Sequence, residues 1–113
     1  MRLDVAYLLD IQVAAKDALE YAQGVDLKQF INDRRLRRAI VNCLHEIGEA
    51  AGKLSKKFKE EHPLIPWKQL IVHRNELAHV YFRIDYAESW EIVQTVLPGL
   101  LEYIAPLIPP ENP

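Results

Sequence analysis

Apolar residues return every three or four positions along most of this chain, which is the spacing of amphipathic α-helices. The first such run predicts a helix over residues 3–23, and Gly24 follows it where a glycine commonly ends a helix. Its apolar face comprises Leu8, Ile11, Ala15, Ala18, Leu19 and Ala22. The sequence lacks the short alternating runs, bounded by turn residues, that mark β-strands. The pattern therefore predicts an all-α bundle of four to five helices.

The longest apolar stripe begins after a short turn that Asp26 is placed to cap. From about residue 32 or 33 it predicts one helix that ends at His62-Pro63. Its apolar face comprises Leu36, Ile40, Leu44, Ile47, Ala51, Leu54 and Phe58. Gly48 and Gly52 lie one turn apart on this helix, and each costs about 1 kcal/mol relative to alanine. We expect another helix to approach closely at both glycines.

Prolines and an acidic cap delimit the remaining helices. Pro66 predicts the start of a helix that runs to about residue 80, because proline is favoured in a first helical turn. Asp85 followed by Glu88 resembles a capping box and predicts the start of the last helix. The dipeptide Pro98-Gly99 is expected to kink or break that helix before it resumes over residues 100–107.

Composition and charge narrow the class of protein. The chain has 113 residues, 50% of them hydrophobic, and a formal net charge of −2. These values predict a single domain over residues 1–113, with a frayed tail at 109–113, and argue against a protein that coats nucleic acid through charge alone. Cys43 is the only cysteine, so an intrachain disulfide is excluded and a reducing, cytoplasmic location is expected. No apolar run approaches the roughly 20 residues of a membrane span, so we expect no membrane partner.

One charged residue interrupts the apolar face of the helix predicted to start at Pro66. Arg74 falls in the middle of the stripe formed by Trp67, Leu70, Ile71, Leu77, Ala78 and Tyr81. Burying an unpaired guanidinium is costly, so Arg74 must either pair with a carboxylate or reach a cleft. A purely structural ion pair would use one of the acceptors Glu46, Glu49 and Asp85.

His79 lies five residues after Arg74, which places it about 140° around the helix axis. It therefore belongs to a second stripe, with Asn75 and Phe82. A helix with two such faces can pack against its own core with one face and against a partner with the other. A symmetric dimer would bring both copies of Arg74 and His79 to one seam.

These residues form part of a longer pattern. Residues 74–81, Arg-Asn-Glu-Leu-Ala-His-Val-Tyr, have the form R-x4-H-x-Y, and residues 33–40 and 47–51 precede them in a matching order and spacing. The whole resembles the HepT-like branch of the HEPN superfamily over nearly the full chain. Two positions depart from the family pattern, because Val80 stands where glycine is common and Glu76 places an acid inside the motif.

The resemblance implies a fold, an activity and partners. It implies a helical HEPN-type homodimer that is the toxin of a type VII-like toxin–antitoxin pair. Such proteins are similar to metal-independent endoribonucleases with arginine and histidine of both protomers at a shared cleft, and the matching positions are Arg74 and His79. The implied partner is a minimal nucleotidyltransferase antitoxin, which can silence the toxin by transferring AMP to the motif tyrosine, here Tyr81.

The residue types suit chemistry on RNA. Histidine exchanges protons near neutral pH, and arginine presents a permanently charged fork to phosphate oxygens. We therefore expect His79 to act as acid or base, Arg74 to hold the scissile phosphate, and Asn75 to support them by a hydrogen bond to the phosphate or to His79. An RNA-backbone contact is predicted at Arg34, Arg35, Arg37 and Arg38. The same stretch can equally be a solvated helix face balanced by nearby glutamates.

Other interpretations stay open at this point. The chain could be a non-catalytic HEPN module that binds RNA or nucleotide, or a docking subunit of the nucleotidyltransferase. His73, Glu76 and His79 are spaced by threes, but they contain one E-x-x-H pair where a di-metal bundle uses two, so we expect no metal site and no cofactor. We expect His73, like His45 and His62, to be a surface or hydrogen-bonded histidine, and Cys43 to be a small buried hydrophobe.

Overall fold

The chain folds into helices throughout the part that the computed structural model describes, which is residues 2–79 and 84–110. No strand occurs within those residues, so the all-α prediction is confirmed. None of the helices in that part is both long and apolar enough to cross a membrane. The helices are α1 (Arg2–Ala22), α2 (Leu27–Asn32), α3 (Arg34–Lys53), α4 (Lys56–Glu61), α5 (Trp67–His79), α6 (Tyr86–Glu91) and α7 (Leu97–Ile104). A π-helical turn (Ile92–Val96) joins α6 to α7, and a 3-10 turn (Ala105–Leu107) follows α7.

Helix α3 is the centre of the bundle. It packs against α1 on one side and α5 on another, while α7 closes against α1. The short helix α2 contacts α3 and α6, and its Phe30 ring lies 5.1 Å from the ring of Trp90, measured between centroids. Burial of these apolar faces against one another is the main source of stability. The largest apolar side chains that are almost completely buried are Phe30, Leu8, Ile11, Ile40, Ile47, Ile92, Leu97, Leu100 and Ile104.

Local signals set most helix ends as the sequence predicts. Gly24 has a φ of 74°, the left-handed conformation that ends α1 at low steric cost. Asp26 caps α2 by accepting a hydrogen bond from the backbone N–H of Gln29 at 2.8 Å. Asp33 caps α3 and Asp85 caps α6 in the same way, each through the residue three positions later. These caps confirm the predicted starts of α3 and α6, while the segment after Asp26, predicted as a short turn, is the six-residue helix α2.

The prediction of one helix from residue 33 to Pro63 is wrong, because α3 ends at Lys53 and α4 is a separate helix. Ser55 caps α4, its Oγ accepting a hydrogen bond from the backbone N–H of Phe58 at 3.1 Å. The buried carboxylate of Asp4 in turn accepts hydrogen bonds from the backbone N–H and the Oγ of Ser55, both at 2.8 Å. The hydrogen bonds between Asp4 and Ser55, which are 51 residues apart in the sequence, fix the break between α3 and α4. The apolar spacing continues through this break and so does not reveal it.

Pro98 is expected from the sequence to kink or break the last helix, and the break does not occur. A π-helical turn directly precedes α7, and Pro98 lies in the first turn of α7. A π-helical turn inserts one extra residue and shifts the helix face. The chain therefore continues as a helix from Leu97 to Ile104, with Leu100 and Ile104 in the core.

Candidate active site on helix α5

Helix α5 lies directly on α3 at Gly48. A Cβ atom added at Gly48 would lie 2.7 Å from the carbonyl oxygen of Leu70 and 2.9 Å from Cγ of Arg74, and it would lie still closer to Cβ of Arg74. The predicted close approach is therefore confirmed at Gly48. It is wrong at Gly52, where an added Cβ would meet no described atom within 4 Å.

This close approach positions the side chain of Arg74. Its stem crosses Gly48, and its guanidinium reaches the surface with 28% of the side chain exposed. One terminal nitrogen, Nη2, lies 3.9 Å from Oε2 of Glu49, and the other, Nη1, donates a hydrogen bond to Oδ1 of Asn75 at 3.2 Å. The Nε atom is buried and has no hydrogen-bond partner among the described residues. Of the three carboxylates proposed as partners from the sequence, Glu49 is the one in reach.

The surroundings of Arg74 mix charges in a shallow depression. Its walls belong to α3 and α5, and it encloses about 280 Å³. Lys53 hydrogen-bonds to Glu49 at 3.2 Å, and this contact, more than the charge of Arg74, lowers the pKa of the Glu49 carboxyl. Glu49 therefore stays ionised at neutral pH and is shared between two cations. The lining residues are Gly48, Glu49, Gly52, Lys53, Ile71, Arg74 and Asn75.

His79 is the last residue of α5 and is exposed. Val72 and Asn75 are exposed on the same side of the helix, Val72 with 44% of its surface accessible. This agrees with the second stripe predicted from the sequence, whose further member Phe82 lies outside the described residues. Tyr81, the predicted AMP acceptor, also lies outside them. Arg74 and His79 thus occupy different sides of one helix, as the 140° separation predicts.

The predicted RNA-contact arginines divide into two groups. Arg34, Arg35 and Arg38 are exposed, and Arg38 lines a second depression between α3 and Leu77 of α5. Arg37 instead lies 4.9 Å above the ring of Tyr86, measured to the centroid, and donates a hydrogen bond to a backbone carbonyl in α2. Arg37 therefore ties α2, α3 and α6 together, a role that the charge run alone could not reveal.

His62 and His73 are both hydrogen-bonded within the bundle. His62 is satisfied by a 2.7 Å hydrogen bond between Nδ1 and the hydroxyl of Tyr103, as expected. His73 is 2% exposed, and its Nε2 lies 2.7 Å from Oγ of Ser89 while its Nδ1 has no hydrogen-bond partner within the described ranges. His73 is therefore hydrogen-bonded, as expected, but through Nε2 alone and in the buried interior. The sequence signal for its burial is its position three residues after Leu70 and four residues before Leu77, both of which are buried.

Two further expectations concern Cys43 and the acidic motif. Cys43 is buried, and burial raises the pKa of its thiol to about 11, so its role as a small buried hydrophobe is confirmed. The three residues spaced by threes in the sequence, His73, Glu76 and His79, do not form one cluster. His73 and Glu76 instead lie close to Glu88 of α6.

Comparison with known proteins identifies the family of this chain. The sequence model described as Ribonuclease HepT-like matches residues 11–107, which is most of the chain. This chain belongs to the HepT-like ribonuclease family. The resemblance inferred from the R-x4-H-x-Y motif is thereby confirmed.

Relatives of this HepT-like chain are named as candidate ribonucleases. A protein of Methanocaldococcus jannaschii named as a candidate RNase is 40% identical over 84% of this chain and 87% of its own length. A candidate RNase of Caldanaerobacter subterraneus subsp. tengcongensis is 32% identical over 99% of this chain and all of its own length. A candidate HepT ribonuclease of Thermococcus cleftensis is 33% identical over 83% of this chain and 86% of its own length. No solved structure matches this chain.

Proposed function

We propose that this HepT-like chain is a metal-independent endoribonuclease toxin whose active site is formed by Arg74 and His79. The observation that carries the proposal is the setting of Arg74. Its stem is fixed on Gly48, and its charged end opens at the surface of α5, on the helix that also exposes His79. A phosphate-binding arginine needs both a fixed stem and an accessible fork.

Arg74 is available to a phosphate even though it has a protein partner. The 3.9 Å separation from Glu49 and the exposure of both side chains make this a weak ion pair. Asn75 accepts one hydrogen bond from Arg74, which orients the guanidinium plane. A phosphodiester can bind both terminal nitrogens with better geometry than the single carboxylate contact provides.

The reaction uses the 2′-hydroxyl of RNA as its nucleophile. His79 takes the 2′-OH proton or donates a proton to the departing 5′ oxygen, while Arg74 neutralises charge on the phosphate. The new P–O2′ bond replaces the P–O5′ bond, which leaves a 2′,3′-cyclic phosphate and a 5′-hydroxyl. Neither step requires a metal ion or a cofactor.

A homodimer completes the site. Arg74 and His79 lie on different sides of α5, so a single helix does not direct both at one phosphate. The exposed face that contains Val72, Asn75 and His79 is the surface through which a second copy would add its own α5. In a two-fold arrangement any contact between residue i of one copy and residue j of the other occurs twice, so an approach of Arg74 in one copy to His79 in the other would form two equivalent sites.

RNA and an antitoxin are the proposed partners. Arg34, Arg35 and Arg38 are exposed on α3 and supply positive charge for the RNA backbone. A minimal nucleotidyltransferase antitoxin would silence the toxin in the cytoplasm by transferring AMP to Tyr81, two residues after His79 in the sequence. The added phosphate would repel RNA from the site.

The second candidate function is a non-catalytic HEPN subunit that binds RNA or docks the nucleotidyltransferase. The pairing of Arg74 with both Glu49 and Asn75 favours it, because an arginine engaged by two neighbours can have a structural role. It predicts RNA binding without cleavage, so an activity assay separates the two functions.

The test is cleavage of total cellular RNA in EDTA by antitoxin-free protein. His79→Ala removes an exposed side chain, so the fold should be retained while the rate falls by about 10²- to 10⁴-fold. Lys68→Ala is the matched control, because Lys68 is exposed on the same helix and has no assigned role in the reaction. Full activity in His79→Ala would refute the assignment, and RNA binding without cleavage by the wild type would favour the non-catalytic subunit.

A further inference from the structure

The buried His73 has a ring nitrogen that the protein does not satisfy. Its Nε2 lies 2.7 Å from Oγ of Ser89, and that Oγ donates to the carbonyl oxygen of Asp85 at 3.5 Å. Nε2 is therefore engaged by the serine hydroxyl, and Nδ1 is the ring nitrogen that has no hydrogen-bond partner among the described residues.

Two carboxylates lie near this ring. Oε2 of Glu88 lies 3.7 Å from Nδ1, and one ring nitrogen of His73 and one carboxylate oxygen each of Glu76 and Glu88 all lie within 4.8 Å of one another. His73 is 2% exposed and both glutamates are half-buried. One ring nitrogen without a hydrogen-bond partner and two carboxylate oxygens thus converge in a largely buried place. A divalent cation at their centre would offset the cost of holding these groups together away from water.

We propose that His73, Glu76 and Glu88 bind a divalent transition-metal ion of the zinc class and thereby join α5 to α6. One imidazole nitrogen and two carboxylate oxygens form a ligand set that suits Zn²⁺, whereas Mg²⁺ and Ca²⁺ prefer oxygen ligands alone. A fourth position would be taken by water.

The geometry requires only small movements. Ligand atoms around tetrahedral zinc lie about 3.4 Å apart. The 3.7 Å separation between Nδ1 of His73 and Oε2 of Glu88 is already close to that distance. The remaining approach would come from rotation of the two half-buried glutamate side chains. The Ser89 contact at Nε2 supplies the hydrogen bond that metal-binding histidines characteristically make through their other nitrogen.

The ionisation state of His73 also suits a ligand. Burial lowers the pKa of His73 below its usual value, although Glu88, Glu76 and Asp85 act in the opposite direction. A neutral imidazole is the form that coordinates a metal. The proposed ion would have a structural role, because it connects the two helices on either side of residues 80–83. It is independent of the ribonuclease proposal, which assigns no function to these three residues.

The experiment measures zinc binding to the full chain after metal has been removed with a chelator. Wild type is titrated with zinc against a chromogenic chelator of known affinity. The double variant Glu76→Gln/Glu88→Gln keeps the shape of both side chains and removes their charges. The matched control is Glu91→Gln/Glu102→Gln, which removes two charges from exposed positions on α6 and α7.

We expect one zinc ion per wild-type chain and the same affinity in the control. Removing a hydrogen bond that supports a metal ligand typically weakens metal affinity by about 10- to 100-fold. Removing two ligands should have a larger effect, so we expect zinc affinity to fall by at least about 100-fold in the double variant. Zinc should raise the midpoint of thermal unfolding in wild type and control only.

A second measurement covers the case in which the double variant does not fold. The single variants Glu76→Gln and Glu88→Gln should each lower zinc affinity, and cobalt bound to the wild type should give a visible d–d absorption that each variant weakens. Equal affinity in the wild type and any folded variant that lacks one of these carboxylates would overturn the proposal. Absence of stoichiometric binding to the wild type would overturn it as well.

Discussion

The packing of α5 on Gly48 makes a specific prediction for stability and activity. In Gly48→Ala the added methyl group would meet the Leu70 carbonyl oxygen at 2.7 Å and Cγ of Arg74 at 2.9 Å. A backbone oxygen cannot turn aside as the end of a flexible side chain can. Helix α5 must therefore shift away from α3 and take the guanidinium of Arg74 with it.

The expected magnitude follows from two opposing effects. Forcing a methyl group into a filled contact costs about 1–3 kcal/mol, and the rigid neighbours place Gly48→Ala at the upper end. Alanine gains about 1 kcal/mol over glycine in helix propensity, so the net loss is about 2 kcal/mol. For a domain of this length, about 4 °C of unfolding midpoint corresponds to 1 kcal/mol, which gives a decrease of about 8 °C.

Gly52→Ala is the matched control because it makes the same change one turn away in open space. It should raise the unfolding midpoint by about 2–4 °C through helix propensity alone. Thermal unfolding followed by circular dichroism, at one protein concentration, compares the two variants with the wild type. Ribonuclease activity measured below both midpoints should fall in Gly48→Ala and be unchanged in Gly52→Ala. Equal midpoints in the two variants would refute the packing argument.

Three further predictions follow from individual contacts. Asp4→Ala removes the carboxylate that accepts a hydrogen bond from the backbone N–H of Ser55, the residue that caps α4. Urea unfolding should show a loss of about 1–3 kcal/mol in the free energy of unfolding, whereas Asp10→Ala, at an exposed position on the same helix, should have little effect. Glu49→Gln removes the weak partner of Arg74 and should raise kcat/KM for RNA by about 2- to 5-fold, and a decrease would contradict competition with phosphate. The buried thiol of Cys43, whose pKa is raised to about 11, should resist alkylation by iodoacetamide at pH 8 until the protein unfolds. The free energy of unfolding should also fall between about pH 9 and pH 11, because the thiol of the unfolded chain ionises at a lower pH than the buried thiol.

Features set by neighbouring residues could be predicted from the sequence. Asp26, Asp33 and Asp85 each cap a helix through the residue three positions later, so a short window contains the whole interaction. Gly24 needs only its own left-handed backbone to end α1. Helical periodicity likewise gave the all-α class and the two faces of α5.

Features set by distant contacts could not be predicted in this way. The end of α3 depends on Asp4, which is 51 residues from Ser55, and the apolar spacing runs on through the break. Gly48 and Gly52 are equivalent in the sequence, and only the position of α5 makes one of them essential. Arg37 could not be separated from its neighbouring arginines until Tyr86 was found beneath it.

The candidate site shows the same division. The sequence places Arg74 and His79 on two sides of one helix, and the structure has them there. It also restricts the partner of Arg74 to three carboxylates, and packing selects Glu49. The burial of His73 matches its spacing from Leu70 and Leu77 on the buried face, although histidine is usually partly exposed.

The most direct test of the central claim is the chemistry of the cut ends. An RNA oligonucleotide is incubated in EDTA with wild type, His79→Ala or Lys68→Ala, and its products are identified by mass spectrometry. The account predicts 2′,3′-cyclic phosphate and 5′-hydroxyl ends from wild type and Lys68→Ala. It predicts no such products from His79→Ala, or from an oligonucleotide whose scissile nucleotide lacks the 2′-hydroxyl. Ends with a 3′-hydroxyl and a 5′-phosphate, or cleavage that persists in His79→Ala, would contradict it.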